Sequence, residues 1–222
     1  PIPLFANQPL DVKILDQEEI TVSTKKPLQL NCDLSAHFVT KYDESTRNNL
    51  LKNIRALPTL DKICILQDAT ILAQAGFESS AWLLPLALSL KTETNEKVFN
   101  MAARALAELR KFVDDDNIAR NRLKQISGDF GRATFEELGW DEKPGESDDD
   151  RERRVTALGL MIYSENQEIL DEAKKRFDNH ELEKLPTEIR SLIISANVRH
   201  FETPEMIDNL FTIYKDTPSN DL

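Results

Sequence analysis

Apolar and polar residues alternate with a period of two from residue 10 to residue 42, and from Asp43 onward the period becomes helical. Val12 and Ile14 alternate with Asp11 and Lys13, Ile20 and Val22 with Thr21 and Ser23, and Leu28 and Leu30 with Gln29 and Asn31. His37-Phe38-Val39-Thr40-Lys41-Tyr42 closes the series. Turn-like clusters at Asp16-Gln17-Glu18, Lys25-Lys26-Pro27 and Asp33-Leu34-Ser35 separate the runs. The pattern predicts about four short strands in an antiparallel sheet or half-sandwich, too small to stand comfortably alone.

Beyond the switch at Tyr42-Asp43-Glu44, Leu50, Leu51, Ile54 and Leu57 form one stripe, with Ser45 as the expected N-cap and Pro58 past the end. A second helix is predicted over 60–75, closed by Gly76 in a left-handed C-cap. Ser79 or Ser80 caps a third, where Pro85 is tolerable only in or near the first turn. Val98, Met101, Ala102, Ala105, Leu109 and Phe112 make a long stripe, and 117–126 a shorter one. Residues 127–150 hold Gly128, Gly131, Gly139, Pro144 and Gly145, which predicts a long loop or an irregular helix pair, the most mobile part of the chain. Asp148-Asp149-Asp150 then precede a helix expected from about Arg151, where acidic residues suit the helix dipole.

Helical periods resume at Val155, Leu158 and Ile162, at Ile169, Leu170, Ala173 and Phe177, and at Ile189, Leu192, Ile193 and Ala196. Thr203-Pro204 opens a last helix as N-cap and first-turn proline. Alternate helices begin about 34–38 residues apart, close to the spacing of two-helix repeats. The fold expected is mostly α: an irregular α-solenoid of HEAT-like stacked helix pairs preceded by a small antiparallel β-sandwich or sheet. Residues 1–43 would form the small β-domain and 44–222 a helical domain, itself cut short.

Composition narrows this picture. With 222 residues, 40% hydrophobic and 30% charged, the chain can bury a core. No apolar run approaches the ~18–20 residues a membrane span needs. A formal charge of −11 argues against a nucleic-acid partner, because phosphate binding needs a concentrated basic face. Cys32 and Cys64 are too few for a disulfide framework and read as free thiols in a reducing cytosol. Pro1-Ile2-Pro3-Leu4-Phe5 shows neither an initiator Met nor a signal-peptide pattern and reads as a strand edge cut from something longer.

Catalytic motifs are absent from the sequence. His180-Glu181 starts like H-E-x-x-H, but Lys184 stands where the second histidine must be, so no zinc ligand pair forms there. His37, expected in a strand, and His200, at a helix end, read as structural or surface groups. The aspartate run lacks EF-hand spacing. No phosphate loop or nucleophile elbow appears, and no pair of carboxylates stands apart as acid and base.

The segment 28–45, LQLNCDLSAHFVTKYDES, resembles the end of the β-sandwich domain in the aminopeptidase N family of zinc metallopeptidases. Leu30-Asn31 and Tyr42-Asp43 hold the family's places before its helical domain. Asp61-Lys62, Leu66, Asp68-Ala69, Leu72-Ala73 and Gly76 are similar to the next block. Leu138-Gly139-Trp140, Arg154, Ala173 through Phe177 and Leu185-Pro186 follow in order, and Pro1-Ile2-Pro3 fits the strand that opens the sandwich. Ala36-His37-Phe38-Val39-Thr40 departs from the family's usual Gly-aromatic-Tyr-Arg-Val strand.

The resemblance implies the C-terminal part of a bacterial, cytoplasmic zinc aminopeptidase that removes N-terminal residues from peptides. The zinc and catalytic motifs would lie upstream, so the resemblance assigns no catalytic or metal residue here, and the chain alone should be inactive. The helical domain would cover the active site and restrict or bind the peptide. Its partners would be the parent's own catalytic domain and peptide substrates, with no nucleic acid and no membrane. Alignment by blocks brings Arg110 near a basic residue that some relatives direct at a peptide carboxylate; otherwise it is a solvated charge at a helix end. Arg154 is expected in a structural ion pair, with the nearby aspartates as candidate partners. The rival reading is a stand-alone α-solenoid scaffold that binds a peptide or protein.

Overall fold

The computed structural model describes residues 1–26, 28–179 and 184–216. Pro27 of the expected 25–27 turn, His180-Glu181 and the 217–222 tail lie outside the described residues. Among the described residues the chain is mostly helical with one small antiparallel sheet. It divides into two compact units, Pro1–Arg120 and Asn121–Leu222.

The first unit opens with an N-terminal arm, residues 1–42. Its sheet is only β1 (Ile2–Pro3) against β2 (Ile14–Leu15), with Ile2 opposite Leu15 and Pro3 opposite Ile14. A single bridge joins Ala6 to Leu30. The strands expected around Ile20, Val22 and 37–42 do not form, and His37 lies in exposed coil. Amides of the arm at residues 25, 26, 29 and 30 bond to side chains instead of to a strand partner. Gln8 Oε1 accepts from Lys25 N and Lys26 N at 3.1 and 3.3 Å. Asn7 Oδ1 accepts from Gln29 N at 3.1 Å, and the Tyr42 hydroxyl accepts from Leu30 N at 3.0 Å.

The helices of this unit are α1 (Glu44–Asn53), α2 (Thr59–Gln74), α3 (Leu83–Ser89) and α4 (Glu96–Glu108). Asp43, not Ser45, caps α1: its Oδ1 accepts from Thr46 N at 2.6 Å. A carboxylate at that position satisfies an orphan amide and complements the dipole at once. Gly76 takes φ 71° beyond α2 as expected, and Ser79 caps the short turn Ser80–Trp82. Pro85 is the third residue of α3, inside the first turn where its missing N–H costs nothing. α4 packs on both α2 and α3, burying Leu66, Leu86, Val98, Phe99, Ala102 and Leu106 essentially completely.

The helix α2 is buried along much of its length, polar residues included: Asp61 and Asp68 are 5% and 7% exposed. Each carboxylate holds an amide of the arm. Asp61 Oδ1 accepts from Asp33 N at 2.8 Å, and Asp68 Oδ2 accepts from Thr40 N at 2.9 Å. The thiol of Cys64 also points to Asp68, 3.9 Å away. Hydrogen bonds of this charge-assisted kind replace the missing strands as the attachment of arm to helix.

The long α5 (Asn117–Leu138) begins at the end of the first unit and continues in the second. The expected break in the 127–150 stretch is therefore confined to the residues after Leu138. Gly128 and Gly131 sit inside the helix because neighbours leave no room for a side chain. A β-carbon at 128 would stand 2.7 Å from Ser164 Cβ, and one at 131 would stand 3.0 Å from the Ala157 carbonyl oxygen. These glycines are spacers for close packing, not breakers.

In the second unit, α6 (Asp148–Tyr163), α7 (Gln167–Asn179), α8 (Thr187–His200) and α9 (Pro204–Asp216) follow. The three aspartates form the first turn of α6 instead of preceding it, and Ser147 is its cap. Thr203 caps α9 through Met206 N, as its sequence predicts. α8 packs on α6 and α7. Met161, Ile162, Ile169, Leu170, Ala173 and Ala196 form one core cluster, and Leu158, Leu185, Ile189 and Ile193 a second. Among the described residues no helix is long and apolar enough to cross a membrane.

Burial raises the pKa of Asp68, against the hydrogen bonds from Thr40 and Cys64 that lower it. A folded value above the ordinary ~3.9 means its contribution is full below that value and is lost as pH rises through the folded pKa. Asp68→Asn keeps an acceptor for Thr40 N without the buried charge. Thermal melts between pH 3 and 8 should show it at least as stable as wild type at pH 7, with the group's pH slope gone. Asp68→Ala, which orphans the amide, should lose about 1–3 kcal/mol.

Candidate functional site

Arg110 lies in the 3₁₀ turn Leu109–Phe112 that ends α4. It is half-buried there. The turn exists because Val113 N bonds back to the Arg110 carbonyl at 3.1 Å. At the last residue of α4, Glu108 Oε2 accepts from Gln74 of α2 at 2.6 Å and from Lys111 Nζ at 2.5 Å. The hydrogen bond from Lys111, followed by that from Gln74, holds the Glu108 carboxyl below the usual range. Between α2 and α4 a groove of about 280 Å³ opens, with Ile71, Met101 and Ala105 as its apolar part and Gln67, Arg104 and Glu108 among its polar residues.

Elsewhere in the first unit, polar groups are committed to structure. Lys62 pairs with Glu93 at 2.6 Å, their side chains 10% and 15% exposed. Arg47 pairs with Glu78 and lies 5.8 Å from the Trp82 ring centroid. Neither partnership is readable from spacing, since each joins residues about thirty apart in sequence; the Asp61-Lys62 pair of the family block carries no hint of Glu93.

The second unit holds Arg154, which does form the expected structural ion pair. Its partner is Glu146, in the connection before α6, and not an aspartate of the run. Both side chains are about 95% buried, at 5% and 4% exposure. The aspartates serve other arginines: Asp148 pairs with Arg151 and Asp150 with Arg153 at 2.8 Å. The same connection is tied at Asp141, which accepts from both terminal nitrogens of Arg176 at 2.6 and 2.7 Å. Arg176 also lies 5.0 Å from the centroid of Trp140, whose other neighbour is Phe135, edge-on at 6.2 Å. Trp140 and the 173–177 segment were legible as motifs; that Arg176 inside the second grips the first was not.

The donors for a metal ion do not come together. Among the described residues no three His, Cys, Asp or Glu side chains form a group that could hold one. Burial pushes the thiol of Cys32 up to about 11 and that of Cys64 to about 12, so both keep their protons at neutral pH. His37 is exposed, and the half-buried His200 meets the Phe201 ring edge-on. Among the described residues these side chains do not gather into a zinc site.

The comparisons give the family. The model of the ERAP1-like C-terminal domain family matches residues 28–221, and the chain belongs to that family. It is 31% identical over 226 residues to Aminopeptidase N of Lactobacillus helveticus, an alignment that takes in 97% of this chain and 27% of that protein. Aminopeptidase N of Lactococcus lactis subsp. lactis is 29% identical over 93% of the chain and 25% of its own length. Aminopeptidase M1-B of Oryza sativa subsp. japonica is 27% identical over 86% and 23%. The chain thus spans about a quarter of the length of the curated relatives it matches.

The Arg154–Glu146 pair is the most deeply buried ion pair described in the second unit. Burial works to raise the Glu146 carboxyl, and the Lys143 amide with the Arg154 guanidinium outweighs it, so the pKa falls below the usual range. The pair's contribution should be complete above the ordinary carboxylate range and lost as pH drops through the lower folded value. Arg154→Ala, which strands the carboxylate, should cost about 3 kcal/mol in urea unfolding at pH 7. That difference should shrink at pH 3.

Proposed function

We propose that this chain is the non-catalytic C-terminal part of a zinc aminopeptidase that removes N-terminal residues from peptides. The observation that carries the reading is the family match over 28–221, joined to relatives named aminopeptidases that are about four times as long. In this reading residues 1–43 close a small β-sandwich and 44–222 begin a helical domain whose helix pairs stack as an irregular solenoid. The helical domain covers an active site built from upstream sequence and limits the peptides that reach it. Zinc, held by the parent's catalytic domain, supplies the Lewis acid and the activated water. The compartment is the bacterial cytoplasm, and the partners are the parent's catalytic domain and peptide substrates.

Arg110 is the residue we assign to the peptide. A guanidinium suits a peptide carboxylate because it offers two parallel donors. Its half-buried setting supports the choice, since partial desolvation strengthens such a bond.

The purified 222-residue chain should show no turnover of aminoacyl-p-nitroanilides with or without added zinc. Robust zinc-dependent release by this chain alone would overturn the assignment. An H-E-x-x-H motif in the gene upstream of Pro1 is expected; a start codon close to Pro1 would favour the scaffold reading.

In the full-length enzyme, Arg110→Ala should raise KM for peptides about five- to tenfold with kcat little changed. Aminoacyl-p-nitroanilides, which lack the distal carboxylate, should be unaffected. Equal effects on both substrates would place Arg110 in the structural framework instead.

A further inference from the structure

We propose that residues 31–34 form a strained turn of the N-terminal arm that Asp61 of α2 latches in place. The inference is independent of the peptidase reading. Three of these four residues occupy the left-handed region without being glycine: Asn31 at φ 55°, Asp33 at 58° and Leu34 at 52°. Asn and Asp tolerate that region, but a leucine there crowds its own backbone. Leu34 is 38% exposed, so deep apolar burial does not hold it in place. Such a conformation persists only while its surroundings impose it.

The imposing bond runs from the Asp33 amide to Asp61 Oδ1, 2.8 Å. Asp61 is a rigid anchor, 5% exposed and set in the first turn of α2. Two further bonds flank the turn, Leu30 N to the Tyr42 hydroxyl at 3.0 Å and Thr40 N to Asp68 at 2.9 Å. Asn31 Oδ1 also accepts from Ala36 N at 2.9 Å, which braces the turn from within the arm. Strain favours release and the bonds oppose it. Their balance sets how often the arm lifts from the helix.

Amide hydrogen exchange on the intact chain, read by NMR, tests this. The amides of Asp33 and Thr40 should exchange through one shared opening, faster than those of Phe99 and Ala102 in α4. Asp61→Ala should speed the arm amides about tenfold and leave α4 unchanged. Asp61→Asn, which keeps an acceptor, should stay near wild type. Leu34→Gly, which does not threaten folding, should slow the arm amides about threefold by removing the crowding. Unchanged or faster exchange in Leu34→Gly would refute the strain. Asp61→Ala without effect, or acting equally on α4, would refute the latch.

Discussion

A buried carboxylate that accepts a backbone amide is the bond on which the first unit depends. Asp61 and Asp68 both sit on the buried side of α2, and each spends its charge on an N–H of the arm. Desolvating a carboxylate is costly, and a lone amide returns only part of the cost. What the arrangement secures is position. The two aspartates lie two helical turns apart, so the arm is held at two points and its register against α2 cannot slip. The arm needs this because its own sheet is two residues wide and could not fix anything.

The second unit solves a similar problem with guanidinium groups. Arg151, Arg153, Arg154 and Arg176 reach Glu142, Asp150, Glu146 and Asp141 respectively, and each of those acids precedes or opens α6. Exposure grades these pairs. Glu146 is buried with its arginine, while Glu142 and Asp141 are 50% and 65% exposed, so solvent screens them and they contribute less. The acidic excess of the chain is thus partly structural: some of its carboxylates fasten the 139–150 stretch to the helices.

The helices were legible because helical periodicity survives any tertiary context. The stripes beginning at Leu50, Val98, Val155, Ile169 and Ile189 fall in α1, α4, α6, α7 and α8, and the Gly76, Ser79 and Thr203-Pro204 signals mark helix ends as expected. The family, too, was legible in the blocks around Tyr42-Asp43 and Trp140. What failed was alternation over 10–42, because a period of two shows that a chain is extended and not that it has strand partners. Amides at residues 25, 26, 29 and 30 bond to the side chains of Gln8, Asn7 and Tyr42. Gly128 and Gly131 misled in the other direction. From sequence alone a glycine pair reads as a breaker, and only the nearness of Ser164 and Ala157 shows it to be a spacer. The partners of Arg154 and Arg176 were beyond reach because Glu146 and Asp141 lie in an irregular connection whose path spacing does not give.

The connection from Gly139 to Ser147 has a consequence for anyone who handles this protein. Polar, acidic and rich in glycine and proline, it looks like the natural place to insert a tag or to expect a protease to cut. Yet Trp140, Asp141, Glu142, Lys143 and Glu146 are each fastened to a helix, through ring packing, ion pairs or the bond from Lys143 Nζ to the Glu137 carbonyl at 2.5 Å. An insertion there would pull several anchors at once. By composition it is a loop; mechanically it is a brace.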